Sequence, residues 1–74
     1  KLTGILSTKK KLLAFVKYKN NSGVLEIGDI GGIDTNLLPK DYKSISIDQS
    51  QGKLTIQFRN DIYILKIFNE SEFL

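Results

Sequence analysis

The stretch SISIDQSQGKLTIQFRNDIYILKIF, residues 44–68, decides the fold. Polar turn residues cut its apolar pattern twice, leaving three runs of strand length. Ile45 and Ile47 alternate with Ser44, Ser46 and Asp48, so the two isoleucines share one face. Gln49-Ser50-Gln51-Gly52 then supplies a turn, with a glycine free to take positive φ. From Lys53 to Arg59 the alternation is strict: Leu54, Ile56 and Phe58 lie on one face, and Lys53, Thr55, Gln57 and Arg59 on the other. That is the signature of a half-buried strand. Asn60-Asp61 reads as the shortest hairpin connection. Ile62-Tyr63-Ile64-Leu65-Lys66-Ile67-Phe68 is apolar on both faces, as expected of a central strand covered from two sides. The unit is a three-stranded meander, and everything upstream has to pack against it.

Upstream, Leu2-Thr3-Gly4-Ile5-Leu6 is a short strand whose glycine permits a bulge or a close backbone approach. Residues 7–11 form a loop in which Lys9, Lys10 and Lys11 repel one another toward solvent. Leu12-Leu13-Ala14-Phe15-Val16-Lys17-Tyr18 is a second strand, with Leu12, Ala14, Val16 and Tyr18 on one face and Leu13, Phe15 and Lys17 on the other. Lys19-Asn20-Asn21-Ser22-Gly23 is a turn cluster, after which Val24-Leu25-Glu26-Ile27 pairs back. Gly28-Asp29-Ile30-Gly31-Gly32 permits the tight bend that sends the chain to a second sheet. Residues 33–41 are irregular, with Leu37 and Leu38 plugging one end of the core. The expected architecture is all-β: a small sandwich or partly open barrel of about six short antiparallel strands in one domain.

At 74 residues such a domain buries barely enough surface to fold alone. The chain contains no cysteine, so neither a disulfide framework nor a thiolate metal site is available. No run approaches the roughly 20 apolar residues that span a bilayer, and no signal-peptide pattern is present. The first residue is Lys1 rather than methionine, from which a domain of a longer protein is expected. The formal charge of +3 comes from ten lysines and a single arginine, Arg59, set against eight acidic residues. Isoleucine is as frequent as lysine, a bias that A- and T-rich codons produce. Recognition of phosphates or bases by a planar bidentate fork would favour arginine instead.

Histidine, cysteine, tryptophan and methionine are all absent, which removes the commonest general base, the thiol nucleophile and the usual transition-metal ligands. Ser7 with Lys9 imitates a serine–lysine pair, but nothing nearby desolvates the lysine. Asp29, Asp34 and Asn36 match no calcium loop. Asp48 and Asp61 are accounted for by turn chemistry. The glycine cluster lacks both the spacing and the following helix of a phosphate loop. No enzyme and no cofactor is expected; a binding module is.

The order of elements resembles a known family. Leu2-x-Gly4-Ile5, a strand ending in lysine and tyrosine, a glycine-containing turn, Val24-Leu25-Glu26-Ile27-Gly28-Asp29, a loop, two alternating strands and a final strand at residues 62–67 are similar to the periplasmic homology region of the type II secretion inner-membrane protein GspC. The type IV pilus lipoprotein PilP is similar as well. The resemblance covers residues 2–68, and a long connection at residues 30–42 departs from the pattern. It implies a sandwich of two three-stranded sheets, a domain of a membrane-anchored protein held on the periplasmic face of the bacterial inner membrane by an N-terminal membrane segment outside this sequence. It further implies a tether between inner-membrane platform proteins and the N-terminal periplasmic domain of an outer-membrane secretin. The contact would fall on the first strand, at Leu2, Thr3, Gly4, Ile5 and Leu6, and on the adjacent Lys11, Leu12 and Leu13. The first strand is also the expected sheet edge onto which a partner strand could add. The competing class is a nucleic-acid-binding small barrel of the OB or SH3-like kind. There Lys9, Lys10, Lys11, Lys17 and Lys19 would track phosphates, and outward Phe15, Tyr18 or Tyr63 would stack bases. Against it, the lysines cluster at loops and the aromatics alternate into positions a core needs.

Overall fold

Six strands form in chain order: β1 Leu2–Ser7, β2 Leu12–Tyr18, β3 Asn21–Glu26, β4 Lys43–Asp48, β5 Lys53–Phe58 and β6 Asp61–Lys66. The computed structural model describes residues 1–67, so Phe68, which the sequence places at the end of the last strand, lies outside the described residues. The strands make two antiparallel meanders, β1-β2-β3 and β4-β5-β6, whose inner faces share one apolar core. This is the expected all-β sandwich of two three-stranded sheets.

Alternation builds the core. Ala14 and Val16 of β2, Leu25 of β3 and Leu2 of β1 meet Ile47 of β4 and Leu54 and Ile56 of β5, all buried. Burying each large side chain contributes roughly 1.5–3 kcal/mol before the loss of chain entropy is counted. Leu37 and Leu38 enter the same core from the long loop, as their position in an otherwise polar segment predicts.

The passage between sheets depends on glycine. Gly28, at φ 100°, donates its amide to the Ser44 carbonyl at 2.7 Å. The Ser44 amide donates to the Asp29 carbonyl at 3.0 Å, and Ile30 bridges to Lys43. Residues 28–30 therefore cover the free side of β4 at its start. The Asp29 carboxylate accepts the Glu26 amide at 2.9 Å and pins the bend to the end of β3.

Four details differ from the pattern reading. The first hairpin turn is Lys19-Asn20, not a five-residue cluster, and β3 begins at Asn21. Gly23 accordingly sits within the strand opposite Val16. The last turn is Arg59-Asn60, with Phe58 opposite Asp61, so Asp61 belongs to β6. In both hairpins the first turn residue takes a left-handed φ, 55° at Lys19 and 56° at Arg59, because a mirror-image turn matches the twist of the flanking strands. Pattern alone favours small turn residues and misses this use of basic ones.

The third difference lies in β4. Its register with β5 shifts between Ser44 and Ser46, so Ser44 stands opposite Ile56. The bulge turns Ser44 inward together with Ile47, both buried, and leaves Ile45 half-buried. The Ser44 hydroxyl has no hydrogen-bond partner among the described residues. A Ser44→Ala substitution removes this buried, uncompensated polar group and is expected to stabilise the fold by about 1 kcal/mol, read as a higher urea midpoint. A lower midpoint would show that the hydroxyl is bonded in solution.

The fourth concerns β6. It is an edge strand and not a central one. Ile62 is 52% exposed, Tyr63 43% and Ile64 56%. Only Leu65 of this strand packs against the core. An apolar run tells how much surface could be buried, whereas strand order decides whether a second sheet or a neighbouring strand is there to bury it.

Candidate functional site

The outward face of the first sheet carries the site. Its pairing aligns Leu6, Leu13 and Glu26 in one row and Gly4, Phe15 and Val24 in the next. Side chains across a ladder share a face, and here that face is solvent. Leu6 is 46% exposed, Phe15 38% and Val24 42%, with Leu13 half-buried between them. A contiguous apolar group on a sheet exterior is a mark of an interaction surface.

A bulge shapes its outer border. The β1–β2 register shifts between Leu2 and Gly4, and the Thr3 hydroxyl donates to the Phe15 carbonyl at 3.1 Å. Without a side chain at Gly4, one flank of the Phe15 ring stays open. A Cβ built there would stand 3.7 Å from the Phe15 Cδ2, an ordinary contact, so glycine at this position is not demanded by packing.

The lysine loop bounds one end of the face. Thr8 organises it: its hydroxyl oxygen accepts the amides of Lys10 at 3.3 Å and Lys11 at 3.0 Å, and its own amide donates to the Lys11 carbonyl at 2.8 Å. This local turn holds Lys9 and Lys10 in solvent. Lys11 instead donates to the Glu26 carboxylate at 2.8 Å. That hydrogen bond, and secondarily the Glu26 charge, raises the Lys11 ammonium above its ordinary pKa. A surface pair of this kind adds little to stability; it sets a polar rim beside Leu13. An open cleft of about 510 Å³ lies at the same end, lined by Ser7, Thr8, Lys10, Lys11, Leu12, Glu26 and Ile27.

The eight residues the resemblance selects are thus divided. Gly4, Leu6, Lys11 and Leu13 come together on or beside the outward face, with the exposed Thr3 anchoring the edge. Leu2 is buried in the core, and Ile5 and Leu12, both half-buried, pack against it, Leu12 also lining the cleft. Phe15 and Val24 complete the surface and were not selected. Phe15 was legible from its alternation with Ala14 and Val16, whereas Val24 required knowing that β3 pairs beside it.

The aromatic side chains do not all fill the core, as the alternation argument supposed. Phe15 and Tyr63 are exposed, and the Lys19 ammonium lies 5.4 Å from the Tyr18 ring centroid. On the second sheet Tyr42 stacks on Phe58 with centroids 4.6 Å apart, and Tyr63 tilts against Tyr42 at 5.9 Å. The charge of Asp61 pushes the Tyr63 hydroxyl above its ordinary pKa, and the neighbouring Tyr42 acts in the same direction.

Among the described residues no group of three or more acidic, histidine or cysteine side chains is arranged to hold a metal ion. Among the described residues there is no helix long and apolar enough to cross a membrane. No protein-family model, curated protein or solved structure matches this chain.

Proposed function

We propose that this domain is a non-enzymatic docking module. In this proposal it tethers an inner-membrane secretion or pilus-assembly platform, on the periplasmic side, to the N-terminal periplasmic domain of an outer-membrane secretin. The observation that carries the proposal is the solvent-facing apolar surface of Leu6, Phe15 and Val24 around Gly4. Leu6 and Phe15 lie on the strand pair that the resemblance to the GspC and PilP regions implicates, and Val24 on the neighbouring strand, within a sandwich of the kind that resemblance implies. Burial of such a surface would supply the affinity, and the Lys11–Glu26 rim would fix orientation.

The test is a backbone-amide NMR titration with the N-terminal domain of a secretin from the same organism. Shifts are expected at Gly4, Leu6, Leu13, Phe15 and Val24. Gly4→Val is expected to keep the dispersed spectrum, since a Cβ there meets only ordinary contact, while weakening binding at least about tenfold by covering the Phe15 flank. Binding unchanged by Gly4→Val would remove this face from the interface. One observation favours the second class, a nucleic-acid module: Phe15 is exposed on the strand that also carries Lys17, whose hairpin turn begins at Lys19. Salt-sensitive shifts of these residues with a short single-stranded oligonucleotide, and none with the secretin domain, would replace the tether by that function.

A further inference from the structure

The sandwich has four edge strands, β1, β3, β4 and β6, and they are not equivalent. β1 is broken by the bulge between Leu2 and Gly4. β4 carries the bulge at Ser44 and is covered at its start by residues 28–30. β3 opens with Asn21, Ser22 and Gly23 and is flanked by residues 32–37 across a shallow groove. These are the ordinary devices by which an edge is blunted. Among the described residues β6 has none of them: it runs six residues without a register shift against β5, without proline, and with Ile62, Tyr63 and Ile64 exposed.

The backbone of β6 also restricts what can pair with it. The Ile67 amide donates to the Gly52 carbonyl, so Asp61, Tyr63, Leu65 and Ile67 exchange hydrogen bonds with β5, and Ile62, Ile64 and Lys66 turn theirs away from it. An added antiparallel strand must set outward residues opposite outward residues. For a second β6 related by a two-fold axis, this parity forbids centring between Tyr63 and Ile64. It permits the axis to pass through Tyr63. There the local sequence is its own mirror, Ile62-Tyr63-Ile64: each Ile62 faces an Ile64 in a hydrogen-bonded pair, and the two Tyr63 residues meet in the closer, non-bonded pair. Asp61 falls opposite Leu65 and Lys66 opposite Asn60, so no like charges oppose one another. The axis through Ile64 instead sets the Lys66 ammonium stem opposite Ile62 and gives up the mirrored match.

We infer that β6 is a homodimerisation edge, pairing antiparallel with β6 of a second copy about a two-fold axis through Tyr63 to form one six-stranded sheet. The arrangement is closed, because it consumes both unblunted edges and leaves only protected ones. It lies on the second sheet and leaves the apolar face of the first free for another partner.

Sedimentation equilibrium from about 10 µM to about 1 mM protein is the first test, with a dimer expected within that range. Ile64→Pro deletes an amide that faces away from β5, so it should leave the meander intact and weaken dimerisation at least about tenfold. Ile64→Lys places a charge on each edge and is expected to do the same, and it decides the matter if the proline variant fails to fold. The chain has no cysteine, so Tyr63→Cys adds a single thiol and is expected to form an intermolecular disulfide on mild oxidation, while Ile64→Cys is not. A wild-type monomer throughout the range, a dimer that survives Ile64→Lys, or cross-linking through Ile64→Cys instead of Tyr63→Cys would each overturn the inference.

Discussion

Gly31→Ala is expected to leave the domain largely unfolded. A Cβ at position 31 would stand 2.6 Å from the Leu38 carbonyl oxygen and 2.8 Å from the Pro39 carbonyl carbon, and closer still to the Pro39 oxygen. These are backbone atoms of a turn with little room to retreat. The Gly31 amide donates to the Tyr42 carbonyl at 2.8 Å, the Gly31 carbonyl accepts the Asp41 amide at 2.9 Å, and the Tyr42 amide returns to Pro39 at 3.1 Å. Separating the two segments breaks this network and withdraws the adjoining Leu37 and Leu38 from the core. The loss is placed in the upper tail of single substitutions, about 4 kcal/mol or more. A domain of this size has a total stability on the order of 4–11 kcal/mol. Circular dichroism and a urea titration measure it directly. A midpoint near that of the wild type would show that residues 38 and 39 move aside without cost.

The second large effect is expected from Leu54→Ala. Leu54 is fully buried at the middle of the second sheet, paired with Ile47 on one side and Leu65 on the other. Truncation there removes apolar contact and leaves a cavity between two sheets that cannot collapse far, a loss of about 3 kcal/mol. Its counterpart is Ile64→Ala on β6, expected to cost less than about 0.5 kcal/mol in dilute protein, because Ile64 is 56% exposed. The two substitutions delete side chains of equal size from neighbouring strands, so their difference in urea midpoint measures edge against centre. Equal losses would mean that β6 is covered in solution even when the protein is dilute.

Position 64 is where pattern reading and structure part most clearly. Alternation located β2 at Leu12–Tyr18 and β5 at Lys53–Phe58 almost to the residue, and it placed Ala14 with Val16, and Leu54 with Ile56, on shared faces that the structure turns inward. It did so because a strand buried on one side must repeat every second residue, and that constraint is local. β6 is apolar at nearly every position, so the same rule returns no face at all; it reads as two-sided burial, which the strand order denies it. Ser44 fails for another local reason. One extra residue in β4 reverses the alternation, and nothing in Ser44-Ile45-Ser46-Ile47 marks which residue is the extra one.

The candidate site divides along the same line. Gly4, Leu6, Lys11 and Leu13 came from the family resemblance, and they meet because they lie on two paired strands joined by one loop. Val24 did not, since it joins Phe15 only through the pairing of β2 with β3. By itself the sequence determined the class, all-β without the side chains of thiol or imidazole chemistry, the meander of the last third, the hairpin upstream of it, the glycine bend between them and the shared face of Leu54 and Ile56. Strand period, turn chemistry and residue inventory are all properties of short segments. Tertiary structure alone decided which apolar faces stay in water, Phe15 and Val24 on one sheet and Ile62 and Ile64 on the other. Exposure depends on what lies opposite a residue across a ladder or a sheet interface, and no segment carries that information within itself.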